Sequence, residues 1–88
     1  MMETIKELQK EFEGRGETRG FHFKQLHKKD AGYLYAVNTP NLCDHYEVFQ
    51  RKVNSQYNCV SYPQSPSFSI WAWTYFDYED ALQKFNEL

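Results

Sequence analysis

The chain has 88 residues, enough for one hydrophobic core and too few for two, so we expect a single domain spanning residues 1–88. Hydrophobic residues make up 41% of the sequence and charged residues 25%, a balance that is typical of a folded globular protein and argues against intrinsic disorder. The net charge of −2 provides no overall basic field, so composition alone does not indicate a nucleic-acid-binding protein.

The first predicted element is an amphipathic helix over residues 2–13. Ile5, Leu8 and Phe12 recur at spacings of three and four residues, which places them on one face of a helix. The apolar stripe is narrow, and this favours a helix that packs on a sheet. Gly14 follows the last apolar residue and is expected to end the helix.

Three strands are expected next. Residues 21–24 alternate between apolar and polar side chains, and residues 33–37 are rich in aromatic and aliphatic ones. Asp30 and Gly32 favour a reverse turn, so these two segments are predicted to form a β-hairpin. Residues 45–53 are predicted to form the third strand.

A polar stretch over residues 54–66 is predicted to be a long loop, because it contains Pro63 and Pro66. A short extended piece is expected within it, at residues 59–62. The aromatic residues 68–76 are predicted to form a strand that is apolar on both faces, with Trp71, Trp73 and Tyr75 together on one of them. We expect this strand to lie in the centre of the sheet, under a helix.

The chain ends in a second predicted helix. Asp77 is a favourable N-cap residue, because its carboxylate can accept a hydrogen bond from a free backbone N–H of the first turn. The apolar stripe of this helix has the spacing i, i+3, i+4, i+7 and consists of Tyr78, Ala81, Leu82 and Phe85. The complete pattern predicts an α+β fold, an antiparallel β-meander of three to five strands with an N-terminal and a C-terminal helix packed on the sheet.

The favoured function is a non-enzymatic binding or accessory module that acts through protein–protein contacts, with a partner protein or as a homodimer. Tryptophan and tyrosine dominate the energetics of protein interfaces, and the aromatic strand follows directly after the proline-bearing loop. The predicted interaction residues are Trp71, Trp73, Tyr62, Tyr75, Arg51 and Lys52.

An alternative is a module that binds single-stranded nucleic acid. Such modules stack bases on aromatic side chains of neighbouring strands and hold the backbone with nearby cations. The residues that fit this description are Phe21, Phe23, Tyr33, Tyr35, Lys24, Lys28 and Lys29. The same aromatic rings would serve equally well as the core of the sheet.

A third alternative is a small enzyme that uses Cys43 or Cys59 as a nucleophile with His45 as its base. The sequence has no close pair of cysteines or histidines with zinc-finger spacing and no glycine-rich phosphate loop, so we expect no metal and no cofactor. Neither a signal peptide nor a membrane-spanning run is evident. We therefore expect a cytoplasmic protein with two reduced cysteines.

Residues 45–88 contain three motifs in a fixed order. The layout begins with His45-Tyr46-Glu47-Val48-Phe49, continues with Tyr62-Pro63 and Trp71-Ala72-Trp73-Thr74, and ends in a helix with Glu79, Ala81 and Phe85. This layout resembles a set of small bacterial and phage-type proteins with the pattern YEV…YP…WAWT…A…F. The resemblance implies no activity, cofactor or catalytic residue.

Overall fold

The computed structural model of the chain describes residues 5–40 and 43–88, apart from the side chains of Glu17 and Ser65. Its regular elements are, in chain order, β1 (Glu11–Glu13), β2 (His22–Lys29), β3 (Gly32–Asn38), β4 (His45–Gln50), β5 (Val53–Asn54), β6 (Cys59–Val60), β7 (Ala72–Tyr75) and α1 (Tyr78–Glu87). Two short 3-10 turns add to these, at Gly16–Thr18 and Ser65–Ser67.

Five of the strands form one antiparallel sheet in the order β1-β2-β3-β4-β7, while β5 and β6 form a separate hairpin. The predicted β-meander is therefore confirmed, with five strands. A tight turn at Asp30 and Ala31 joins β2 to β3. Gly32 is required here, because a Cβ atom at this position would lie 2.3 Å from the backbone oxygen of Phe49 on β4.

One face of the sheet packs against α1, and we call it the helix face. Its core consists of Leu34 and Val48 from the sheet and Ala81 and Phe85 from the helix, all of them buried. The helix begins as predicted, since the backbone N–H of Glu79 donates a 2.8 Å hydrogen bond to the Asp77 carboxylate. The C-terminal helix of the predicted fold is therefore confirmed.

The opposite face carries most of the aromatic core, and we call it the aromatic face. Its fully buried residues are Phe23, Tyr33, Tyr35, Val37, Phe49, Val60 and Ala72. Tyr33, Tyr35 and Val37 occupy alternate positions of β3, and Phe23, Phe49 and Ala72 lie on the same face of the neighbouring strands, while Val60 packs on them from β6. The β5–β6 hairpin, through Val60, and chain segments without regular structure cover this face, in contrast to the helix on the other side.

The N-terminal helix is a wrong prediction. Residues 5–10 are not helical, and residues 2–4 of that prediction lie outside the described part of the chain. The backbone of Lys6 instead donates to Asn58 and accepts from Val60, and the carbonyl of Gln9 accepts from the Tyr35 hydroxyl. The segment thus satisfies its polar backbone groups by pairing across the fold, while its apolar side chains still pack on the aromatic face.

The aromatic strand also differs from its prediction. β7 begins only at Ala72 and lies at the edge of the sheet. Before it the chain turns sharply at Ser69, whose φ is 74° and whose N–H donates to the carbonyl of Ala72 at 2.7 Å. This turn breaks the alternation, so Trp71 packs toward the aromatic face, while Trp73 pairs with Val48 on the helix face.

Candidate ligand-binding groove

An open groove of about 1710 Å³ runs along the aromatic face. One wall is the loop over residues 14–21, and the other is the segment over residues 62–68. The groove is lined by Gln9, Phe12, Glu13, Gly14, Arg15, Gly16, Thr18, Arg19, Gly20, Phe21, Phe23, Glu47, Tyr62, Pro63, Gln64, Pro66 and Phe68. We call it the aromatic groove.

Glycine residues determine the shape of the first wall, the loop over residues 14–21. A Cβ atom on Gly14 would lie 2.2 Å from the carbonyl oxygen of Thr18, so only glycine lets the loop close this tightly. Gly16 and Gly20 adopt positive φ values of 62° and 89°, a conformation that costs glycine little. The loop closes through hydrogen bonds from Gly14 N–H to the Phe21 carbonyl and from Phe21 N–H to the Thr18 carbonyl, 2.8 and 2.9 Å long.

The apolar lining is a set of packed aromatic rings. Phe12 of β1 and Phe23 of β2 stack with their centroids 4.8 Å apart, as expected for residues paired across neighbouring strands. Tyr62 meets both rings edge to face, 5.6 Å from Phe12 and 5.1 Å from Phe23. The three rings thus form one packed cluster in this part of the groove.

The carboxylate of Glu47 on β4 lies beside these aromatic rings. Its Oε1 accepts a 2.7 Å hydrogen bond from the Tyr62 hydroxyl, and its Oε2 lies 2.8 Å from Nε2 of His45. The side chain of Glu47 is only 12% exposed, so these bonds lie in a partly desolvated environment. Burial raises the pKa of Tyr62 well above its usual value, and this hydroxyl therefore stays a neutral donor.

Both ring nitrogens of His45 face an acceptor oxygen. Nε2 faces the Glu47 carboxylate, and Nδ1 lies 3.3 Å from the carbonyl oxygen of Cys43. Both neighbours are acceptors, and the bond to Glu47, followed by the bond to Cys43, raises the pKa of His45. The hydrogen bond to Glu47 thus fixes the orientation of the imidazole ring, and the Cys–His nucleophilic pair stays a prediction.

A second carboxylate, Glu7, has a different environment. It accepts hydrogen bonds from the Tyr33 hydroxyl and from the guanidinium group of Arg51, and Lys28 lies 3.2 Å away. These donors occupy the carboxylate and lower its pKa from 4.5 to about 2, with Arg51 as the largest cause. Glu7 therefore ties the N-terminal segment to the sheet and has little capacity left for a ligand.

The predicted interaction residues do not form one surface. Trp71 and Tyr62 pack toward the aromatic face, whereas Tyr75 packs on the helix face and Trp73 lies beneath the ammonium group of Lys84, 4.1 Å from it. The remaining two, Arg51 and Lys52, lie after β4; the first binds Glu7 and the second is exposed. Of the six, Tyr62 alone lines the aromatic groove.

The residues predicted to bind nucleic acid are likewise separated. Three of the four rings, Phe23, Tyr33 and Tyr35, are at most 3% exposed and offer no free face for a base. The fourth, Phe21, is half-buried at the groove. The cations Lys24, Lys28 and Lys29 are also dispersed: the first is exposed, the second binds Glu7, and the third covers the ring of Phe85.

Several groove residues were not singled out from the sequence, namely Phe12 as a groove wall, Arg15, Arg19 and Glu47. The signal that could have found the arginines is their place between the glycines at positions 14, 16 and 20, which indicates a shaped loop. Glu47 carries no such signal, because its role depends on Tyr62, fifteen residues away.

No protein-family model matches this chain, and no curated protein or solved structure matches it either. The resemblance of residues 45–88 to small phage-type proteins therefore stays a prediction. No helix in the described ranges is long and apolar enough to cross a membrane. Within the same ranges, no group of three or more histidine, cysteine or acidic side chains is placed to hold a metal ion.

Proposed function

We propose that this protein is a non-enzymatic binding module and that its aromatic groove holds an extended segment of a partner protein. The observation that carries the proposal is the size and form of the groove. Its volume of about 1710 Å³ exceeds the roughly 300–1,000 Å³ of typical small-molecule sites, and it is an open channel between two chain segments. A peptide in extended conformation fits such a shape better than a small cofactor does.

The lining supports a peptide as the occupant. Aromatic side chains and arginine are enriched where protein partners bind most strongly, and both line this groove. Phe21 and Phe68 are only half-buried and leave apolar surface for side chains of the segment.

The charged residues at the edge of the groove indicate which side chains the partner's segment carries. Arg15 and Arg19 are exposed at the groove, and neither forms an ion pair with any side chain that the structure describes. Guanidinium groups bind carboxylates through paired hydrogen bonds. We therefore expect the segment to carry acidic side chains where it passes this loop.

The test is selection of peptides from a random heptapeptide display library on the immobilised protein. Binding of the selected peptides is then measured by fluorescence anisotropy for the wild type and for Arg15→Glu/Arg19→Glu. The double substitution is expected to weaken binding at least tenfold, since it replaces two attractive charges by two repulsive ones. Raising the salt concentration should weaken wild-type binding in the same direction.

The matched control is Lys24→Glu/Lys52→Glu, which changes the net charge equally at two exposed positions that do not line the groove. It should bind the selected peptides like the wild type. Selection of no peptide, or equal losses in both double variants, would contradict the proposed groove.

A further inference from the structure

We infer that Glu47 forms a subsite for one basic side chain, lysine or arginine, of the bound segment. The inference rests on the proposed function and states what the groove recognises at its polar position. It is carried by the placement of a carboxylate with unused hydrogen-bonding capacity among the aromatic rings that line the groove.

The hydrogen-bonding capacity that Glu47 has left follows from the partners that it already has. A carboxylate has about four lone-pair positions, and here the Tyr62 hydroxyl uses one on Oε1 while His45 uses one on Oε2. One position on each oxygen is left. Glu7 provides the contrast within the same molecule, since its Oε1 alone has three donor groups within 3.2 Å.

The same two partners also fix the carboxylate in place. Tyr62 is packed between Phe12, Phe23, Tyr35 and Phe49, and His45 is anchored to the backbone of Cys43. A ligand therefore meets an acceptor whose orientation is already set, and little side-chain entropy is lost when it binds. This is the condition under which a charged hydrogen bond contributes most to affinity.

A cation suits this position better than a neutral donor does. Glu47 is partly desolvated, so its attraction for a positive charge is screened less than at an exposed site. The aromatic rings beside it accept a cation or the methylene groups of its side chain on their faces. His45 and Tyr62 each use one lone-pair position of the carboxylate, so the ligand donates to the positions that these two partners leave.

The experiment is a double-mutant cycle. Library peptides that bind the wild type are expected to share a lysine or arginine at one fixed position. In one such peptide this residue is replaced by glutamine, and in the protein Glu47→Gln replaces the carboxylate by an amide of the same shape. Anisotropy is measured for all four combinations.

We expect each single change to weaken binding about tenfold and the double change to be no worse than either, since a charged hydrogen bond contributes roughly 1.5–3 kcal/mol, a factor of ten or more. The matched control is Glu13→Gln, which removes another carboxylate that lines the groove. For Glu13→Gln, the change in binding free energy caused by the protein substitution and the change caused by the peptide substitution should simply add, with no coupling between them.

The outcomes separate the two proposals. Peptides that depend on Arg15 and Arg19 but share no basic residue, or that show no coupling to Glu47, would overturn the cation subsite and leave the groove as a peptide site. Absence of any peptide that depends on Arg15 and Arg19 would overturn both. Circular dichroism of Glu47→Gln decides whether a loss of binding reflects the site, because the variant should retain the wild-type fold.

Discussion

Two glutamates on the aromatic face, Glu7 and Glu47, differ in how many hydrogen-bond donors surround the carboxylate. Glu7 is bound by Tyr33 and Arg51 and joins the N-terminal segment to the sheet. Glu47 lines the groove and has two partners, the Tyr62 hydroxyl on Oε1 and His45 on Oε2. The same side-chain chemistry therefore supports the fold at Glu7, and at Glu47 it is the basis of the proposed subsite.

Glu7→Gln should change how stability responds to acid. The folded state lowers the pKa of Glu7 to about 2, below its ordinary value of 4.5, so the wild type gains stability from this group above pH 4.5 and loses it as the pH falls toward 2. The variant should be less stable at pH 7 and should lose less stability over this interval. Urea denaturation at several pH values measures both differences; parallel curves for the two proteins would contradict the role given to Glu7.

At the scale of elements, the local sequence pattern predicts the conformation of α1 correctly and that of the N-terminal segment wrongly. Asp77 and the apolar stripe of α1 specify the same helix that the fold requires. The N-terminal stripe of Ile5, Leu8 and Phe12 fits a helix locally, yet these side chains pack on the sheet from a segment that is not helical. Local spacing could therefore identify the apolar residues in both cases, but the backbone conformation of the second depended on partners elsewhere in the sequence.

Asp77→Ala is expected to destabilise the protein by about 1 kcal/mol, because the N–H of Glu79 would lose its acceptor. Asp77→Asn keeps an acceptor at the same place and is the control, with a loss of only a few tenths of that amount. Thermal unfolding followed by circular dichroism compares the three proteins. Equal stability of the alanine and asparagine variants would show that the cap contributes nothing.

For the whole molecule, β3 connects two cores. Tyr33 and Tyr35 belong to the aromatic face and Leu34 between them to the helix face, each fully buried. Adjacent residues of one strand thus enter different clusters, so neither cluster can lose its packing without disturbing the other. We expect the two faces to unfold together.

Leu34→Ala should lower the free energy of unfolding by about 2–5 kcal/mol, since it removes a fully buried side chain from the helix face. Tryptophan fluorescence and far-ultraviolet circular dichroism should still report one coincident transition. Ile70→Ala, at a side chain that is 73% exposed, should stay within about 0.5 kcal/mol of the wild type. Two separate transitions in the leucine variant would show that the faces unfold independently.

The sequence by itself determined the α+β class, the β2–β3 hairpin, the β4 strand and the C-terminal helix with its cap. These depend on alternation, turn residues and helical spacing, which are local properties. Only the tertiary structure decided that the N-terminal segment is not a helix, that β7 lies at an edge, and that Glu47 accepts a hydrogen bond from Tyr62 in a groove. Each of these depends on contacts between residues distant in the chain, and short-range patterns do not encode which distant partner a backbone or a carboxylate will find.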